Sequence, residues 1–161
     1  MPPLPWAITT AGTSTIYSLD LWNADFSRYV QVTGDATVLD EQAHYIEGRL
    51  VKPDEDSYYD MPGRSPLAES LYQHCVRAIR HGLRFGEHGL PLIGSCDWND
   101  GMDKVGAEGK GESVWLAWFL VDVLRQFATV AERRGDTAEF AFMIAAPSGI
   151  FFTSRAARMG F

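Results

Sequence analysis

The sequence predicts an all-α protein built of paired helices, and three observations carry that reading. Apolar residues recur at helical spacing over 21–33, 67–79 and 113–134. Gly-Asp pairs close the first and last of these stretches, at Gly34-Asp35 and Gly135-Asp136. No stretch before residue 140 shows the apolar–polar alternation of a half-buried strand.

The elements follow in order. Residues 1–20 are rich in Pro, Thr and Ser, carry one charged side chain, Asp20, and have no clear period, which predicts loose order. From Leu21 onward, Trp22, Phe26, Tyr29, Val30 and Thr33 share one helical face, and Gly34 supplies the stop. Asp35 then caps a second short helix holding Val38, Leu39 and Tyr45. Gly48, Pro53, Pro62 and Gly63, set among acidic residues and the Tyr58-Tyr59 pair, predict a loop over 48–65. Ser65-Pro66 opens the next helix, a capping hydroxyl followed by Pro at the first helical position. Its core stripe is Leu67, Leu71, Cys75, Ala78 and Ile79, and Gly86 closes it. A glycine-dense loop runs from Glu87 to Gly111. Ser113 to Arg134 is the longest helix, and its first half is apolar nearly all round, which predicts burial on most sides. Residues 140–161 are apolar without a clear period. The domain reading is a helical body over 21–137, a poorly ordered segment over 1–20 and an atypical tail over 138–161.

Composition bounds the function. A chain of 161 residues suits one domain, and 46% hydrophobic content suffices for a core. With 14 basic and 21 acidic side chains the net charge is −7, and no basic stripe occurs, so nucleic acid is excluded as a partner. Cys75 and Cys96 match no zinc or redox spacing and predict a reduced, cytoplasmic setting. His74, His81 and His88 recur at a heptad spacing, but His88 lies past the helix end and no nearby carboxylate completes a ligand set, so no metal is expected. Met1-Pro2-Pro3-Leu4-Pro5 lacks the start of a signal peptide. The longest apolar run, Val114 to Val121, falls short of the roughly 20 residues a bilayer span needs, so no membrane segment is expected in this chain.

The chemistry concentrates in Gly89-Leu90-Pro91-Leu92-Ile93-Gly94-Ser95-Cys96-Asp97-Trp98-Asn99-Asp100-Gly101-Met102-Asp103. Three carboxylates, a Trp and an Asn here sit in a glycine-flanked loop, where scaffolds tend to carry active sites. Calcium would take Asp97, Asn99 and Asp103, but an EF-hand needs Gly where Met102 stands. A P-loop around Gly109-Lys110 fails at Lys104 and Gly111. Plain turn chemistry, with Asp and Asn capping backbone, also accounts for the residues.

Asp97-Trp98-Asn99-Asp100-Gly101-Met102, preceded by His88-Gly89-Leu90-Pro91-Leu92, resembles the active-site segment of glycoside hydrolase family 94. Gly109-Lys110-Gly111-Glu112-Ser113-Val114-Trp115-Leu116-Ala117-Trp118-Phe119 is similar to the same family, most of all to its cyclic β-1,2-glucan synthase branch. The resemblance covers about 25–137; residues 1–20 and 140–161 show none of it.

The resemblance implies part of a six-hairpin α/α barrel (an α/α toroid) and inverting phosphorolysis of β-glucosides. Asp100 is then the general acid that protonates the glycosidic oxygen, while inorganic phosphate, as co-substrate and with no other cofactor, attacks the anomeric carbon from the opposite face. An inverting hydrolase needs a second carboxylate to activate water; phosphate is already a nucleophile. Burial and the charge of Asp97 would raise the Asp100 pKa toward neutrality. Trp98 would line the sugar site, Asn99 would bond hydroxyls, and Glu112 would bond sugar or support the loop. The partners implied are an oligosaccharide or glucan and a sugar phosphate. Members are several times longer, with sugar-binding residues upstream and phosphate-binding residues downstream, so this chain alone is expected to be inactive and its parent membrane-associated where it follows the synthase branch. Two other readings stand: an inverting hydrolase on a similar scaffold, and a non-catalytic sugar-binding helical domain.

Overall fold

The computed structural model describes residues 25–48, 61, 63–94, 106 and 108–146. The described elements are α1 (Asp25–Thr33), a 3₁₀ turn (Thr37–Asp40), β1 (Gln42–Glu47), β2 (Gly63–Ser70), α2 (Leu71–Gly82), α3 (Val114–Arg133) and α4 (Thr137–Ala146). The predicted loose segment 1–20, Trp22, Tyr58-Tyr59, Cys96 and the chain beyond Ala146 lie outside the described residues.

The all-α, α/α-barrel expectation is overturned by a sheet. β1 and β2 pair antiparallel, from Gln42 opposite Ser70 to Glu47 opposite Gly63. The register breaks between His44 and Ile46, where β2 accommodates Ser65, Pro66 and Leu67 opposite Tyr45 alone. Pro66 lacks a ladder donor and is tolerated at such a bulge. Ser65 thus opens no helix; its hydroxyl donates to Glu47 Oε1 at 2.5 Å. The α2 cap is Ser70, whose Oγ accepts from Gln73 N–H at 3.3 Å. Leu67, expected in the core stripe, lies on β2 and is 46% exposed. Likewise Asp35 caps no helix: the 3₁₀ turn has Ala36 at its N-cap with no side-chain bond there, Asp35 Oδ1 accepts from Thr37 N–H two residues on at 3.0 Å, and Tyr45 belongs to β1.

The hairpin is docked on α2 through a polar cluster. The Tyr45 ring stacks on His74 at 4.0 Å, and its hydroxyl donates to Glu69 Oε2 at 2.6 Å. Arg77 grips the same carboxylate with Nε at 2.7 Å and Nη2 at 3.0 Å, the bidentate geometry that carries most specificity. His74 is buried and bonds through Nε2 to the Ala43 carbonyl at 3.0 Å, and burial pushes its pKa down.

The core lies between α1, α2 and α3. Val30 from α1, Leu71, Cys75 and Ile79 from α2, and Leu116, Leu120, Leu124 and Phe127 from α3 form one cluster. α3 departs from the expected all-round burial. Leu116, Ala117, Leu120 and Val121 are buried, but Trp115 is 50% and Trp118 60% exposed, because its neighbours cover one side of it. Its 20 residues also exceed the short apolar run read in the sequence: by length and composition α3 is long and apolar enough to cross a bilayer, although 56% of that stretch is buried in this fold. It ends as the Gly-Asp pair predicts. Gly135 N–H bonds Glu132 O at 2.9 Å and Asp136 N–H bonds Ala131 O at 3.0 Å, with Gly135 at φ 74. That paired closure needs a left-handed residue, hence glycine. Asp136 then caps α4 by accepting Glu139 N–H at 3.2 Å, a helix for which the sequence showed no period.

Phe127, fully buried and stacked on Tyr72 at 5.4 Å, tests the assignment of faces on α3. Phe127→Ala should cost about 3–5 kcal/mol in urea unfolding, while Val114→Ala, at a 59% exposed position, should stay within about 0.5 kcal/mol. Similar losses for both would show that the faces are misassigned.

Candidate functional site

Asp97, Trp98, Asn99 and Asp100 lie outside the described residues; the fifth residue singled out in the sequence, Glu112, is described, and so are the two ends of the segment. Those ends are built from three short extended pieces. Leu92 N–H donates to Arg84 O at 2.8 Å and Gly86 N–H to Leu90 O at 2.9 Å, so 84–92 folds back on itself. On its other side, Ile93 N–H donates to Gly111 O at 2.8 Å and Ser113 N–H to Pro91 O at 2.9 Å. Residues 91–93 are therefore held between the chain leaving α2 and the chain entering α3, with bridges Phe85–Pro91 and Leu92–Glu112.

The segment 95–105 is flanked by Gly94 and Gly106, and these two are in close contact. A Cβ on Gly106 would lie 1.9 Å from Gly94 O, so only glycine fits there. The α3 cap completes the tie to the core: Ser113 Oγ accepts Leu116 N–H at 3.1 Å.

Glu112 holds this arrangement from below. Its Oε1 accepts from His88 N–H at 2.9 Å and meets His88 Nδ1 at 2.9 Å, and its Oε2 accepts from Leu90 N–H at 2.8 Å. Burial works to raise the Glu112 pKa, but the bonds from the His88 and Leu90 backbone and the His88 ring outweigh it, leaving the carboxyl below its ordinary 4.5. The hydrogen bond and charge of Glu112 in turn raise His88 above its ordinary 6.5. Gly86 lies against the carboxylate so closely that a Cβ would sit 2.5 Å from it.

The heptad of histidines thus divides: His74 bonds the hairpin backbone and His88 pairs with Glu112. Among the described residues no three His, Cys, Asp or Glu side chains come together as a metal site. The sequence reading missed the His88–Glu112 pair, although His88 stood inside the motif that carried the resemblance. The signal available was a histidine and a glutamate at the two edges of one glycine-dense loop.

The carboxylate-bearing stretch 97–103 thus falls, in the chain, between ends that are tied to the residues following α2 and preceding α3. The chain belongs to the glycosyl hydrolase 94 superfamily, whose catalytic-domain model matches residues 6–151, beyond 25–137 on both sides. It is 42% identical over 132 residues to the cyclic beta-(1,2)-glucan synthase NdvB of Rhizobium meliloti (strain 1021), a match covering 80% of this chain and 5% of that protein. It is 34% identical over 104 residues to the solabiose phosphorylase of Paenibacillus borealis, covering 64% of this chain and 11% of that one. A 3-O-beta-D-glucopyranosyl-beta-D-glucuronide phosphorylase of the same organism shares 38% over 69 residues, 42% of this chain and 9% of its own. The chain therefore spans between 5% and 11% of the length of these relatives.

Two predictions follow from the Glu112 geometry. Gly86→Ala should displace the carboxylate and release the His88 and Leu90 amides, read as lost hydrogen-exchange protection at both; unchanged protection would contradict the close approach. For pH, the Glu112 contribution to stability is present above 4.5 and lost as pH falls through its lowered folded value. The His88 contribution is complete below 6.5 and lost as pH rises through its raised folded value. The His88 ring should therefore titrate above 6.5 by NMR, and Glu112→Gln should bring it back; a ring titrating at or below its ordinary value would refute the pairing.

Proposed function

We propose that this chain carries the acid-bearing segment of a glycoside phosphorylase-type active site, with Asp100 as general acid and inorganic phosphate as co-substrate. Membership of the glycosyl hydrolase 94 superfamily is the observation that carries the reading. Two of the relatives above are named as phosphorylases. The joined ends at Gly94 and Gly106 support it further, since an acid must be held at a fixed distance from the bond it protonates. In this reading Asp100 protonates the leaving oxygen, Asp97 adds negative charge beside it, Trp98 stacks on the sugar and Asn99 bonds its hydroxyls. Glu112 we read as a support for the loop, because its carboxylate already accepts from the His88 and Leu90 backbone.

The substrate class we infer is a β-linked gluco-oligosaccharide, with a sugar phosphate on the other side of the equilibrium. β-1,2-Glucan is favoured by the 42% identity to a protein named as a cyclic beta-(1,2)-glucan synthase. A cytoplasmic setting belongs to the same proposal.

The test is phosphate-dependent release of sugar 1-phosphate from β-1,2-gluco-oligosaccharides by a full-length superfamily member carrying residues 25–137 of this chain in place of its own, and by the same protein with Asp100→Asn; the 161-residue chain by itself is expected to be inactive. Loss of the acid should cost about 10²–10⁴-fold in turnover. Undiminished turnover in Asp100→Asn, or release of free glucose without phosphate, would sink the reading.

A further inference from the structure

Among the residues of β1 and β2, Tyr45 is the one buried apolar side chain. Its ring lies on the ring of His74 from α2, with centroids 4.0 Å apart and planes 22° from parallel. A hydrogen bond adds to the stack, from His74 Nε2 to the Ala43 carbonyl at 3.0 Å. Glu69 of β2 is gripped by Arg77 of α2 and by the Tyr45 hydroxyl. A two-stranded hairpin is marginal by itself in water, so its place on α2 depends on these ties. Two of them end on one imidazole, which is buried.

A carbonyl only accepts, so Nε2 carries a hydrogen in both charge states and the proton that titrates is the one on Nδ1. Nδ1 is buried, and protonation there sets a full charge inside the contact between hairpin and helix. Burial pushes the His74 pKa down, against the Ala43 carbonyl and Glu69 of β2, which favour the charged ring, and together with Arg77 of α2, which opposes it. From β1 the ring meets Tyr45, whose hydroxyl stays neutral because burial and the Glu69 bond push its pKa up. Glu69 stays ionised across the histidine range, since Arg77 and the Tyr45 hydroxyl hold it below its ordinary 4.5. Asp40 of the 3₁₀ turn pairs with Arg134. The hairpin's other histidine, His44, is exposed and bonds Ser65 O within the hairpin.

We propose that docking of the β1–β2 hairpin on α2 is coupled to one proton at His74, the hairpin being held while the ring is neutral and loosened in acid. Lifting the hairpin exposes the ring to water, where it binds the proton more readily than in the docked state. Docking is therefore at full strength above 6.5 and weakens as pH falls toward the lower value of the docked ring. The coupling is independent of the activity proposed above.

The experiment is amide hydrogen exchange of the whole chain by NMR from about pH 5 to 8, the range of histidine switching. Protection is taken relative to an unstructured chain at each pH. Protection of the β1 and β2 amides should fall in acid by up to about tenfold per pH unit, the limit for one proton. The amides of Leu120, Leu124 and Phe127 in α3 should keep theirs. His74→Gln retains a side-chain donor for the Ala43 carbonyl but does not titrate, so its hairpin should stay protected across the range. His44→Gln should behave as the unaltered chain does. The His74 ring itself should titrate below 6.5, and that measurement decides if His74→Gln does not fold. Hairpin protection that ignores pH, that falls only in step with α3, or that still falls in His74→Gln overturns the proposal. So does a His74 ring that titrates at or above its ordinary value.

Discussion

The burial of one face of α3 is the constraint on which the other described elements depend. A two-stranded hairpin is marginal by itself in water, and helices as short as α1 and α4 gain little from propensity alone. Each becomes stable by docking on, or being capped from, a body whose centre is Leu116, Leu120, Leu124 and Phe127. The packing also carries polar organisation with it. Phe127 stacks on Tyr72, the Tyr72 hydroxyl donates to Asp136 at 3.1 Å, and Asp136 caps α4. Arg134 lies over the Tyr72 ring at 4.8 Å and pairs with Asp40 at the end of the 3₁₀ turn. One buried aromatic contact thereby aligns α2, the end of α3, the start of α4 and the approach to the hairpin.

The same helix reaches the candidate site at its other end. Ser113 caps α3, and Glu112, directly before it, holds the turn that follows α2. The ends of 95–105 are thus referenced to two packed helices instead of to a free loop. In the proposed reading, where the segment presents an acid, ends fixed in this way serve the proximity that catalysis requires. The glycines at 86 and 106 serve close approach, each leaving no room for a Cβ against a neighbour.

Legibility in the sequence followed the reach of the contacts. α3 was legible almost to its ends, because its period, its Ser cap and its Gly-Asp stop are all local. α2 was legible in its stripe but not in its start, since Ser65-Pro66 imitates a helix opening and only pairing with β1 reveals it as a strand. The hairpin escaped notice for two reasons. Gln42–Glu47 is poor in β-branched residues, and the bulge at Tyr45 breaks the alternation that marks a strand. The segment Asp97–Asp100 stood out by composition, yet its chemistry came through resemblance, as turn capping explained the residues equally well. The His88–Glu112 contact spans a glycine-dense loop and leaves no periodic trace.

The state of Glu112 also bears on which chemistry the site suits. An inverting hydrolase needs a general base opposite the acid, a carboxylate with room for water and a readiness to take a proton. Glu112 is the described carboxylate built into the ends of the segment, and it has neither property. Both of its oxygens are engaged, and those bonds hold its pKa below the ordinary value despite burial. A carboxylate so stabilised in its ionised form is a weak base and a firm strut. Glu112 therefore does not supply the second catalytic carboxylate of a hydrolase. Phosphorolysis makes no such demand, because the nucleophile arrives already charged. Glu112 thus serves to hold the turn after α2 to the start of α3, and the choice of phosphate over water belongs to the proposal drawn from family membership.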